Sequence, residues 1–162
     1  MTNDPRTVAW LDQEDANLAQ LVRAHRWAVQ YVGEGDQPDE PPFGYTVGLF
    51  GLGHPELTLV GWGADSTHAV LGRVAEMVRG GRDLVPGELL TWPDWADLRL
   101  VVEVLPNPGE VVLVANRFYE RPAEYSVPAY QLTWALPDHC FPWEGTGTGD
   151  PAVQPRPGMW RA

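Results

Sequence analysis

The chain has 162 residues, with 22 acidic against 11 basic side chains and a formal net charge of −11. A chain of this size buries a core without staples, and its single cysteine, Cys140, excludes an internal disulfide. The acidity tells against a polyanionic partner: nucleic acid or an anionic membrane would be repelled, and no cluster of arginines offers a basic face.

The first residues, Met-Thr-Asn-Asp-Pro-Arg, lack the basic region and apolar run of a signal peptide. No apolar stretch approaches the roughly 20 residues that span a bilayer. The expectation is one cytoplasmic globular domain over residues 1–144 and a Gly/Pro-rich tail over 145–162.

Residues 12–26 read as a helix. Leu18, Leu21, Val22 and His25 recur at helical spacing, and Asp12, Glu14 and Asp15 would occupy a first turn, where the helix dipole favours anions. Residues 27–32 alternate as a strand. The 33–42 segment carries Glu34, Asp36, Asp39 and Glu40 and is either a solvated connector or an acidic docking loop.

Residues 43–50 form a strand with unequal faces, Phe43, Tyr45, Val47 and Leu49 against Gly44, Thr46 and Gly48. The first face builds core. Glycine on the second marks a place where a packed helix or a ligand approaches the backbone.

After a turn at 51–55, residues 56–62 read as a strand antiparallel to the last. Asp65 is the expected cap of a helix that runs to Arg79 and stops at Gly80-Gly81, with Val70, Leu71, Val74, Met77 and Val78 as its apolar stripe.

Strands follow at 88–92 and 98–105. Residues 110–119 stay open between strand, favoured by the valines at 111, 112 and 114, and helix, favoured by the stretch from Ala115 to Tyr119. The last strand is 130–136, and the tail from about 145 is expected to be disordered or loosely draped. The fold class is α+β: a mostly antiparallel sheet of five or six strands, open or barrel-like, with two or three helices covering one face.

Several segments together resemble a known family: Arg26-Trp27-Ala-Val, Pro42-Phe43-Gly-Tyr45-Thr46-Val-Gly48-Leu49, His54-Pro55-Glu56-Leu57, Pro86-Gly87, Phe118-Tyr119, Gln131-Leu132-x-Trp134, and Pro137-Asp138-x-x-Phe141-Pro142-Trp143. In this order they resemble the bacterial domain-of-unknown-function family numbered 4262, over about residues 18–145. The chain departs from that family's pattern in carrying His139-Cys140 where glycine precedes Phe-Pro-Trp. The resemblance implies no activity. A second, looser likeness is to split-barrel flavin reductases, through the Thr-Val-Gly-Leu strand, the Pro-Glu-Leu-Thr-Leu-Val strand and the helix after it. It implies flavin as a cofactor option.

Candidate chemistry is sparse. His54 and Glu56 stand two apart at a strand entry, where they would bind a metal, relay a proton or simply form a turn. No recognised spacing supplies further metal ligands, so no metal is expected. Cys140 and His139 are neighbours and would point apart in an extended chain, so a lone thiol is expected there, not a nucleophile pair.

Tyr45, Thr46, Glu56 and Gln131 are polar groups in apolar strands. With Asp138 and Trp143 at the rim they form the expected lining of a small-molecule pocket beside strand 43–50. Glu56 and Asp138 are the acid–base candidates. The alternative for Tyr45 and Gln131 is hydrogen bonding within the core.

Trp27, Trp62 and Trp134 fall at strand positions. Trp92, Trp95, Trp143 and Trp160 fall in turns or the tail, as binding-surface residues or as lids. The partner classes left open are a small molecule or a basic protein, the latter as an immunity- or antitoxin-type module. Gly145-Thr-Gly-Thr-Gly149 lacks the lysine and following helix of a phosphate loop.

Overall fold

The computed structural model describes residues 4–137, 140–144 and 153–162. Asp4 and Pro5 open the first helix. The Asp4 carboxylate accepts from the Arg6 N–H at 3.1 Å and Pro5 takes the first helical position, so α1 runs Pro5–His25, well ahead of the expected start at 12. Asp12, Glu14 and Asp15 therefore lie inside the helix rather than in its first turn. α1 buries none of its residues fully; it leans on the sheet through Leu18 and Val22.

Six strands follow: β1 Ala28–Val32, β2 Phe43–Val47, β3 Glu56–Val60, β4 Leu89–Thr91, β5 Arg99–Val104 and β6 Ala129–Ala135. Their order is β1-β2-β3-β6-β5-β4, and every neighbouring pair is antiparallel except β3–β6, which is parallel. The sheet is thus mostly antiparallel and open, ending at β1 and β4. The barrel-like alternative does not form, and the likeness to split-barrel flavin reductases loses its structural footing.

α2 runs Ala64–Arg79 and starts from Gly63, with Asp65 in its first turn rather than at the cap. The ambiguous 110–119 stretch is a short turn, Pro108–Glu110, then a six-residue helix, α3 Leu113–Phe118. Its valines are not strand residues. Val111 and Val112 are fully buried as the chain enters the helix, so burial, not β-propensity, explains them.

Both faces of the sheet are covered, where one was expected. α2 packs Val70, Leu71, Val74 and Val78 onto Leu57, Leu59, Leu100, Val102, Leu132 and Trp134. It comes close enough at Gly44 that a Cβ there would overlap the Thr67 methyl, so a helix, not a ligand, fills the small face of β2 at that point. The opposite face gathers Phe43, Tyr45, Val47 and Val60 under Val111, Val112, Ala115 and Trp160.

Trp160 corrects the reading of the tail. Residues 153–162 are docked across this second face, not draped; residues 145–152 lie outside the described ones. The Trp160 ring meets Phe43 edge-on at 4.9 Å and its indole N–H donates to Gln131 Oε1 at 2.9 Å. The Gln154 side chain bonds the backbone of β6, accepting from the Trp134 N–H at 2.7 Å and donating to the Trp134 carbonyl at 2.9 Å. Arg156 closes a bidentate pair on Glu103 at 2.8 and 3.0 Å. Among the described residues no helix is long and apolar enough to cross a membrane.

Candidate functional site

Glu56 begins β3 and is fully buried. Four donors meet its carboxylate: the Thr46 hydroxyl at 2.6 Å and the N–H groups of Gly48, Phe50 and Leu49 at 2.9, 3.0 and 3.3 Å. The amides open the single turn Leu49–Leu52 that follows β2. A turn of this kind leaves its first N–H groups without partners in the turn itself. Glu56, reaching back from the next strand, supplies the acceptor. Thr46 ties the two strands together by also accepting from the Leu57 N–H at 2.9 Å.

The chain reaches this geometry through Gly48, whose φ of 127° is a backbone conformation that glycine adopts at no steric cost. A Cβ there would collide with the Arg26 carbonyl and lie 2.9 Å from Trp27 Cα. The turn is therefore pressed against the end of α1.

Burial pushes the Glu56 carboxyl up to about 7, against the pull of its four donors. Two phenols share the neighbourhood. Burial raises Tyr45 well above its ordinary value, with the charge of Glu56 adding to the effect. Burial also pushes Tyr119 up to about 12, with Glu56 as the second cause. The Tyr119 hydroxyl accepts from the Gly51 N–H at 3.1 Å, and its ring packs edge-on to Phe50 at 5.0 Å.

Over this turn lies a cleft of about 300 Å³, between the last turns of α1, the 48–52 turn and the end of α3. Arg23, Arg26, Leu52, Phe118 and Tyr119 line it, with Gly48 and Gly51 in its floor. A wider groove of about 630 Å³ runs along β5 beside Trp143. It is more open, and its charged groups, Glu103 and Arg156, neutralise each other. The smaller cleft has the stronger chemistry.

The residues singled out in the sequence are divided by the fold. Thr46 and Glu56 come together as described. Tyr45 is buried on the other side of β2, where its hydroxyl accepts from the Val114 N–H at 2.9 Å. Gln131 is buried under the C-terminal segment, its Oε1 taken by Trp160 and its amide N–H donated to the Pro155 carbonyl at 3.1 Å. Trp143 is half-exposed at the wider groove, stacked on Phe141 at 4.8 Å and under the Arg156 guanidinium. Asp138 and His139 lie outside the described residues.

His54 does not face Glu56. Its Nδ1 lies 2.7 Å from the Pro55 carbonyl and its Nε2 accepts from the Leu84 N–H at 3.2 Å, which assigns the proton to Nδ1 and makes it a satisfied core histidine. Among the described residues no three His, Cys, Asp or Glu side chains gather as a metal site requires.

Within the acidic loop, Asp39 and Glu40 both pair with Arg161 at 3.0 Å, so these two carboxylates hold the C-terminal segment.

Arg23, Arg26 and Tyr119 were not legible as site residues. The two arginines lie 93 or more positions from Tyr119 along the chain, and only the docking of α1 against the 48–52 turn joins them.

A family model described as a domain of unknown function, DUF4262, matches residues 21–147. The matched stretch contains all six strands and every residue lining the cleft except Ala19. Comparison with curated proteins and with solved structures found no match to either. With its whole sheet inside the matched stretch, the chain belongs to the DUF4262 family.

Proposed function

We propose that this domain binds a small molecule in the cleft over the Glu56-held turn. The observation that carries the reading is the use of a fully buried carboxylate and four donors to fix a turn whose outer side faces that cleft. Fixing a floor from beneath with buried hydrogen bonds is how a binding site is kept in one geometry. The lining mixes apolar walls with a few polar groups, the usual make-up of a small-molecule site. Glu56 acts here as a positioning residue, since its carboxyl is enclosed beneath the turn.

The test is a fragment screen read by amide NMR. Binders are expected to move the resonances of Gly51, Leu52 and Tyr119. Ala19→Phe places a ring at the cleft wall on a half-buried helix position and is expected to abolish those shifts while leaving the thermal midpoint within a few degrees of the parent. Binders that move only residues 101–104, along the wider groove, would contradict the assignment.

A further inference from the structure

Seven of the eleven arginines engage carboxylates among the described residues. Arg23 and Arg26 are two of the four that do not, although the chain carries twice as many acidic as basic side chains. Both line the same cleft.

Arg26 also sits in an unusual place. It caps the C-terminus of α1 in the left-handed conformation, φ 72°, with its N–H on the Val22 carbonyl at 2.7 Å. Helices normally give that position to glycine, and a non-glycine residue held there is strained. The helix dipole favours a cation near this end, which accounts for a charge on the last turn but not for choosing arginine over glycine at the cap.

Glu56, below the turn, is a buried carboxylate whose oxygens are already occupied by four donors. Val22, Leu52 and Phe118 give the rest of the cleft an apolar wall.

Resting on the cleft as the binding site, we infer that its ligand is a small organic anion, with a carboxylate or phosphate head on Arg23 and Arg26 and an apolar body against Val22, Leu52 and Phe118. Guanidinium groups present planar donor pairs that match both heads. Arg26 is then a binding residue whose conformational cost is retained for its charge.

The experiment titrates benzoate, phenyl phosphate and benzamide, three probes with one body and different heads, into the protein and into Arg26→Gly, following the Gly51, Leu52 and Tyr119 amides. At least one anion is expected to saturate these shifts at concentrations about tenfold lower than benzamide, as a charge-assisted contact requires. The better anion names the head group. Arg26→Gly is expected to lose that preference and to melt at or above the parent temperature, because glycine relieves the cap. Equal affinity for all three probes would overturn the anionic class and leave the site standing. Retention of the anion preference in Arg26→Gly would overturn the role of Arg26. No movement of these amides with any probe would overturn the site itself.

Discussion

Replacing Glu56 by alanine is expected to destabilise the domain by about 3–5 kcal/mol, the cost of removing one partner from a buried charged network. The loss comes from the donors left behind. The Thr46 hydroxyl and the N–H groups of Gly48, Leu49 and Phe50 all converge on this carboxylate, which is itself fully buried. Each buried donor left unmade costs about 1–3 kcal/mol, and some of the four will relax to other partners. Denaturant unfolding measures the loss. A change below about 1 kcal/mol would mean that the turn holds itself.

The same residue gives stability a pH slope of unusual sign. The Glu56 carboxyl is raised from 4.5 to about 7 in the folded state, so between those values the folded protein holds a proton that the unfolded chain has released. Stability therefore rises as pH falls from about 7 towards 4.5, by about 3 kcal/mol at most from this group. Glu88, Asp94 and Glu144 act the other way. Arg82, Arg73 and Arg99 respectively hold them below the usual carboxylate range, so their contribution is present at higher pH and is lost as pH falls through their lowered values. The two trends meet in a stability maximum on the acid side of neutrality. Glu56→Gln is expected to remove the slope between 4.5 and 7 while keeping the loss at lower pH.

Trp160→Ala is the second large effect, expected at about 3–5 kcal/mol. The indole is 2 % exposed and packs on Phe43, and its removal strips the Gln131 Oε1 of its donor in the core. Thermal unfolding of the variant separates a docked segment from a draped one. A draped segment would leave the midpoint unchanged. A double-mutant cycle with Gln131→Ala is expected to show strong coupling, since each side chain satisfies the other.

Much of the frame was legible because its signals are local. The alternation of β2, β3 and β5, the hairpin between β2 and β3 and the glycine stop of α2 follow from period and turn chemistry. The start of α1 was missed although Asp4-Pro5 is a cap followed by a first-turn proline. The apolar spacing further along was the louder signal.

The neighbour of β3 was not legible at all. β6 pairs with it in parallel, Glu56 opposite Ala129 and Thr58 opposite Gln131, and no local pattern encodes a pairing across 73 positions. The covered second face was hidden for a related reason. Part of its cover comes from Trp160, a residue in a Gly/Pro-rich stretch whose composition reads as a tail.

The candidate site shows the same division. Glu56 and Thr46 stand out in sequence as polar residues within apolar strands, and the structure joins them. Gln131 and Tyr45 stand out equally, yet both are absorbed by the core, because a buried polar group needs only one good partner to be structural. Arg23 and Arg26 carry no periodic or spacing signal. What distinguishes them is the left-handed cap and the cleft, and both are properties of the folded chain.

The central claim is that the buried carboxyl of Glu56 and the floor of the cleft are one unit. Amide NMR across about pH 3 to 8, a range that spans the ordinary carboxylate value, tests it most directly. Gly48, Leu49 and Phe50, whose N–H groups touch the carboxylate, are expected to shift together with a midpoint near pH 7, and Gly51 and Leu52 in the cleft to follow the same curve. A midpoint in the ordinary carboxylate range near 4.3, or a titration that stops at Phe50 and leaves Gly51 and Leu52 unmoved, would contradict it.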